Sequence, residues 1–359
     1  MGGLESFTHS IAKSLIARGH KVVVFAASGS DEAINSHIVC DPTALSNETI
    51  STRNDLKNHT LKAYDIEHIA YSSIMDILRN SDFDIVHNNS LHYIPNMYSN
   101  TLPMPMITTL HTPPFASLKC SFKYGNNKNN NVITISKYMK KIWSPIIKNQ
   151  IIYNGINLKN FAPLNNSKKE NYAIWFGRIT SEKGTIYAIE AANKAGIPLK
   201  IAGTIYCEKY FNKKIKPRLN KNIEYIGPLE HSELRKTIAK ARVSLCTPNW
   251  DEPYGLVVVE ALACGTPVAS FERGAIPEIL DSKSGILAEL NKKQLFGKSK
   301  AIKSLSHALL KAIELDPEDC RKRAEEIADA NIMIDKYEKL YYDLITTTKL
   351  KMNQQNNLN

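Results

Sequence analysis

Apolar residues Leu4, Phe7, Ile11, Leu15 and Ile16 recur at helical spacing, and Gly19 follows where a C-terminal cap belongs. Residues 21–25 then read as a buried strand, so the chain opens as a helix followed by a strand. The alternation continues with strands at 85–87, 106–110 and 132–135 and a helix that Ser136 can cap. After the Asn154-Gly155 turn and a polar stretch at 165–170, a second series begins with a strand at 172–176 and a helix at 185–195. It runs on through a strand at 199–202, a helix at 233–241, a strand at 243–246, a helix ending at Ala263 and a strand at 267–271. Apolar strands alternating with helices predict parallel α/β layers, with a boundary near residue 158. The pattern divides the chain into an α/β domain over 1–157 and a second over 158–331. Two such domains in tandem predict a cleft at the carboxyl ends of both sheets. Ile332, Ile334, Tyr337, Leu340, Tyr341 and Leu344 predict an amphipathic helix over 332–348, followed by a polar tail over 349–359 that frays from Asn353.

The chain has 359 residues, of which 43% are hydrophobic and 23% charged, which excludes a disordered or collagen-like protein. A formal net charge of +11 calls for an anionic partner: nucleic acid, a membrane surface or a phosphorylated substrate. The six cysteines, Cys40, Cys120, Cys207, Cys246, Cys264 and Cys320, show no C-x-x-C pair or Cys/His ligand spacing, which argues against zinc and a disulfide framework. No signal-like leader or bilayer-length apolar run occurs, so a cytoplasmic location is expected.

The richest stretch runs from Trp250 through Asp251, Glu252, Pro253, Tyr254, Gly255, Leu256 and Val257 to Glu260. One glutamate stands on a loop, and the other stands eight positions on, inside an apolar helix. Pro253 and Gly255 suit the entry to that helix, whose free N–H groups and dipole attract an anion such as a diphosphate. Glu260 among Val and Ala is costly unless hydrogen-bonded; pairing with an arginine or capping of a backbone would explain it equally well.

With Glu252 and Glu260 as an E-x7-E pair, the sequence resembles the retaining glycosyltransferases of family 4, which have the GT-B fold. The resemblance also covers Gly2-Gly3-Leu4-Glu5, Arg18-Gly19-His20, Asp84-Ile85-Val86-His87, Thr109-Leu110-His111, Asn154-Gly155-Ile156, Gly177-Arg178, Lys183-Gly184 and Ile276-Pro277-Glu278-Ile279. The stretches Ile201-Ala202-Gly203-Thr204-Ile205-Tyr206 and Trp250-Asp251-Glu252-Pro253 are similar to a bacterial branch that includes antibiotic-pathway and pterin glucosyltransferases.

The resemblance implies two Rossmann-like domains facing a central cleft, with acceptor on the first, nucleotide-sugar donor on the second, and the last helix crossing back onto the first. It implies that Glu252 meets donor sugar hydroxyls and Glu260 the ribose hydroxyls. Arg178 and Lys183 would grip the diphosphate. Gly203 and the Tyr254, Gly255, Leu256 and Val257 segment would border the nucleotide, and His111 would bond a sugar hydroxyl or the reacting centre. His87 is an acceptor-side candidate only. Gly2 and Gly3 resemble the family's glycine loop, whose N–H groups approach phosphate or acceptor. Family members carry a strand before that loop, so the resemblance implies a first domain lacking its first strand: either a start assigned too late or a truncated, impaired enzyme. No cofactor or metal is implied beyond the donor, a UDP-sugar. The acceptor is a glycan, lipid or small molecule, and the excess charge leaves peripheral association with an anionic membrane open.

Asp82-Phe83-Asp84 has the D-x-D form of a cation site, but its place at the amino end of a strand argues against that use. The basic runs 137–141 and 209–221 read as solvated faces, since no nucleic-acid motif organises the aromatics near them. A truncated, non-catalytic nucleotide-sugar-binding protein is the alternative reading, and a pyridoxal phosphorylase is disfavoured for want of a lysine motif.

Overall fold

The computed structural model describes residues 3–27, 30–34, 36–40, 56–164, 168–289 and 298–356. The chain divides into two compact units, one comprising Met1–Ile135, Met139–Ile152 and Ile334–Asn359, the other Ser136–Tyr138 and Tyr153–Met333. The second unit thus takes the chain at Tyr153, before residue 158. The Tyr153 hydroxyl donates to Glu278 and the Asn154 carbonyl accepts from Tyr254, both within that unit.

In the first unit, helix Gly3–Ala17 buries Phe7, Ile11 and Ala12, the spacing that its apolar pattern requires. Backbone bonds from Arg18, Gly19 and His20 close the helix, and the strand expected at 21–25 begins only at β1, Val24–Ala27. β1 pairs in parallel with β2, Ser36–Cys40. After helix Leu56–Arg79, a four-stranded parallel sheet forms in the order β3 (Val86–Asn88), β4 (Met106–Leu110), β5 (Asn130–Thr134) and β6 (Asn149–Ile151). β4, inside this sheet, is buried at every residue and has no polar face.

The second unit holds six parallel strands in the order β12-β11-β10-β7-β8-β9. These are β7 (Glu170–Phe176), β8 (Leu199–Ala202), β9 (Ile223–Gly227), β10 (Ala241–Cys246), β11 (Val268–Phe271) and β12 (Gly285–Ala288). Its first strand, β7, lies in the middle, so the chain winds one way from β7 through β8 to β9 and the other way from β10 to β12. The carboxyl ends of β7 and β10 flank the switch point, where ligands of doubly wound sheets sit. Helix Thr185–Ala195 turns Tyr187, Ala188, Ile189, Ala191 and Ala192 into the core and stops at Gly196, whose φ of +70° suits the left-handed cap.

Ahead of helix Lys137–Trp143 stands Ser136. Its hydroxyl donates to the Pro253 carbonyl, and the Glu278 carboxylate accepts the Lys137 and Tyr138 N–H groups. A carboxylate suits that place, being charged opposite to the helix end. The residues expected as a polar tail are helical as far as Asn356, because helix Ala330–Asn356 contains no Gly or Pro to stop it. No described helix is long and apolar enough to cross a membrane.

Candidate active site at the sheet switch point

Lys183 leaves β7 on a loop and Glu252 leaves β10 on another, and the two loops are stitched together beneath their charged groups. The Trp175 indole donates to Thr247 Oγ1 at 3.0 Å, Thr247 Oγ1 donates to the Gly184 carbonyl at 3.0 Å, and Asn249 N–H donates to the Glu182 carbonyl at 2.8 Å. On this base Lys183 Nζ donates to Glu252 Oε2 at 2.8 Å and Oε1 at 3.1 Å, while Trp250 Nε1 donates to Oε2 at 2.9 Å. The Lys183 ammonium also lies 5.1 Å from the Trp250 ring centroid. The side chains are 24% and 13% exposed for Lys183 and Glu252, so the pair is shielded yet reachable from solvent.

The backbone of Glu252 is fixed from the other side. Ala275 N–H donates to the Glu252 carbonyl at 2.8 Å, and Gly274, at φ +58°, lies so close that a Cβ would fall 2.2 Å from that oxygen. Arg273 pairs with Asp251 at 3.0 Å.

Gly255, with φ +107°, starts helix Leu256–Ala263, leaving the N–H groups of Leu256 and Val257 without intrahelical acceptors. Tyr254 is 3% exposed, and its hydroxyl donates to the Asn154 carbonyl, a strut under the loop. Glu260 is half-buried, and among the described residues no hydrogen bond or ion pair reaches its carboxylate. Desolvation alone pushes its pKa up to about 7. Among the described residues it meets neither the arginine partner nor the backbone cap that would explain it.

Arg178 does not join Lys183. Its guanidinium lies 5.2 Å from the ring centroid of Tyr206, which is 68% exposed on the loop after β8. Gly203 follows β8 at φ +135°, and a Cβ there would sit 2.0 Å from the Gly177 carbonyl oxygen. The loops after β7 and β8 therefore touch backbone to backbone.

In the first unit, His111 follows β4, with Nε2 3.0 Å from Asn89 Oδ1 and its ring 4.7 Å from that of Phe7. His87 is not free for an acceptor: Nδ1 meets the Tyr341 hydroxyl at 2.7 Å and Nε2 meets Thr109 Oγ1 at 2.8 Å. Thr109 Oγ1 in turn meets the Tyr337 hydroxyl at 3.0 Å. Burial pushes both His87 and His111 down to about 3, so both rings are neutral. Gly3 is the first residue of a helix rather than part of a loop, and Gly2 lies outside the described residues. Asp84 faces Lys349 at 3.4 Å, and the strand begins two residues beyond it, at Val86. Among the described residues no group of three His, Cys, Asp or Glu could hold a metal ion.

Thr247, Trp175 and Gly274 complete the site without a mark in the sequence, and Trp250, which opens the richest stretch, carries no assigned role there. Trp250 alone carried a signal, as a large aromatic in a polar loop two positions from Glu252. Gly274 carried none, because its partner is a backbone 22 residues earlier.

Residues 1–160 match the family model for Glycosyltransferase Family 4, and residues 157–329 match that for Glycosyl transferases group 1. An uncharacterized glycosyltransferase of Methanocaldococcus jannaschii is 32% identical over 206 residues, which is 54% of this chain and 57% of that relative. The chain thus spans little more than half the length of this curated relative. Among solved structures, the Anabaena Alr3699/HepE protein in complex with UDP and glucose aligns with a TM-score of 0.71 and 16% identity over 96% of each chain. Sucrose-phosphate synthase from Thermosynechococcus elongatus aligns with a TM-score of 0.75 and 16% identity, over 96% of this chain and 94% of that one. At this identity the likeness shows the fold, a two-domain α/β GT-B fold with parallel sheets.

Proposed function

On a chain that carries a family 4 glycosyltransferase domain followed by a group 1 glycosyltransferase domain, we propose that it moves a hexose from a nucleoside diphosphate sugar, a UDP-sugar, to an acceptor hydroxyl with retention and without a metal. The observation that carries this reading is the Lys183–Glu252–Trp250 cluster at the switch point of the second unit, beside the open start of helix Leu256–Ala263. It brings a cation, a hydroxyl acceptor and free N–H groups to one end of one sheet, the set that an anionic sugar nucleotide requires.

In this reading Lys183, Arg178 and the N–H groups of Leu256 and Val257 neutralise the diphosphate as its bond to the sugar carbon breaks. The Glu252 carboxylate accepts from sugar hydroxyls and the Glu260 carboxylate accepts from the ribose. Positive charge fixed in place before the reaction stabilises the leaving group and supplies what a divalent cation would otherwise bring. The sugar passes through an oxocarbenium-like state, the acceptor oxygen attacks the face from which the diphosphate departs, and the acceptor's hydroxyl proton passes to the departing diphosphate oxygen. We assign the acceptor, a glycan, lipid or small molecule, to the first unit, where neutral His111 offers a hydrogen bond to a hydroxyl.

Nucleoside diphosphate release from a panel of UDP-, GDP- and ADP-sugars tests the proposal. Release from one donor that survives EDTA and falls at least about a hundredfold in Glu252→Ala is expected, the cost of losing several charge-assisted bonds. Full turnover by Glu252→Ala, or loss of release on adding EDTA, would overturn it.

A further inference from the structure

Glu252 is held in two ways that behave differently when a donor arrives. A carboxylate offers about four lone-pair sites. Three are occupied here: Lys183 reaches Oε1 and Oε2, and Trp250 reaches Oε2. Oε1 therefore keeps one open site for a hydroxyl. The ionic contact is the mobile one, because a diphosphate carries more charge than Glu252 and competes for the same ammonium. The indole contact cannot move with it, since Trp250 has one N–H, on a ring fixed two residues from Glu252. The Glu252 backbone is also pinned, by Ala275 N–H and by the close approach of Gly274. Only the side-chain torsions of Glu252 remain to be held, and Trp250 Nε1 is the neutral group that holds them. The same ring carries the Lys183 ammonium on its face, so Trp250 touches both members of the pair.

We propose that Trp250 is a positioning residue that keeps the Glu252 carboxylate aimed at the donor sugar when Lys183 turns to the diphosphate, so that it governs affinity for the sugar and not for the nucleotide. The proposal deepens the donor-site reading above and rests on it.

Trp250→Phe removes the N–H and leaves an aromatic face for Lys183. Calorimetric titration of the full chain and of this variant with UDP, GDP and ADP and with the corresponding sugar nucleotides separates the two contributions. The nucleoside diphosphate is expected to bind within about twofold of wild type. Affinity for the sugar nucleotide and kcat/KM are each expected to fall about tenfold, the scale of one hydrogen bond to a charged group. Equal binding of both ligands by wild type and variant would overturn the proposal, as would an equal loss of both, which marks a merely structural residue. A wild-type chain that binds none of the diphosphates overturns the donor-site reading itself.

A second readout needs no substitution. The chain has three tryptophans, of which Trp143 and Trp175 are 0% and 2% exposed. With 5-fluorotryptophan incorporated, the half-buried Trp250 is expected to give the one 19F resonance that shifts strongly on adding the diphosphate, as the ammonium leaves its face. Three unmoved resonances in a chain that binds the diphosphate would overturn the proposal.

Discussion

The carboxyl ends of β7 and β10 in the second unit and those of β3 and β4 in the first are both crowded with polar side chains, but they hold opposite kinds of chemistry. In the second unit Lys183 and Glu252 satisfy each other across 2.8 Å and stay partly open to solvent. In the first, His87 and His111 lie among Phe7, Tyr337 and Tyr341, and both ring nitrogens of His87 are already bonded. Among the described residues no ion pair reaches either ring, and burial holds both neutral. A neutral imidazole exchanges hydrogen bonds with hydroxyls and has no net attraction for a phosphate. A lysine–glutamate pair with helix N–H groups beside it can take an anion and a sugar hydroxyl together. On the proposed reading, the contrast fits a charged ligand on the second unit and a neutral one on the first.

Acid breaks the two regions unequally. The folded His87 and His111 resist protonation down to about 3, whereas in the unfolded chain they protonate near the usual 6.5. The unfolded state then binds more protons, and stability is lost as pH falls from 6.5 towards 3. At pH 5 the two groups together cost about 3 kcal/mol after allowance for their partial exposure. Thermal melting at pH 7.5 and pH 5 checks this: the His87→Gln/His111→Gln chain is expected to lose several degrees less than wild type between the two. An identical acid slope in both chains would remove the contrast.

A smaller effect sharpens the donor side. Glu260 has its folded pKa raised to about 7 from 4.5, so the ionised carboxylate is the costly form, and the cost is present above pH 7 and absent below 4.5. Glu260→Gln is therefore expected to stabilise the free chain by about 1–2 kcal/mol at pH 8, a few degrees in Tm, and to change nothing at pH 4.5. The same variant should lose affinity for a ribonucleotide, because the amide has one acceptor oxygen where the carboxylate has two. Differential scanning fluorimetry at the two pH values reads the first effect; equal shifts at both would show that Glu260 is not held in the desolvated form.

The alternation of apolar strands and helices was enough to place most elements of the second unit. Helix Thr185–Ala195 and strand Leu199–Ala202 fall where their patterns predict them, because each carries a buried face of the right period and a glycine at its end. The E-x7-E spacing led to Glu252 and Glu260 for a similar reason, since a loop followed by a helix keeps a local signature. What was illegible depends on partners far along the chain. Tyr254 is a strut because Asn154 stands across from it, Gly274 is required because Glu252 backs onto it, and Glu278 accepts the Lys137 and Tyr138 N–H groups from 141 and 140 residues away. Spacing cannot encode such meetings. The edges of short strands were equally obscure: β1 starts at Val24 rather than residue 21, since Val22 and Val23 are as apolar as Val24 and Phe25 inside it.

The central claim, that the switch point of the second unit takes the nucleoside diphosphate, is tested most directly by amide hydrogen exchange of the full chain with and without the diphosphate of its preferred donor. The account predicts slowed exchange in residues 177–184 and 247–260, strongest at the Leu256 and Val257 N–H groups that lack intrahelical acceptors. Protection confined to the ends of β3 and β4 in the first unit, with 177–184 and 247–260 unchanged, would contradict it.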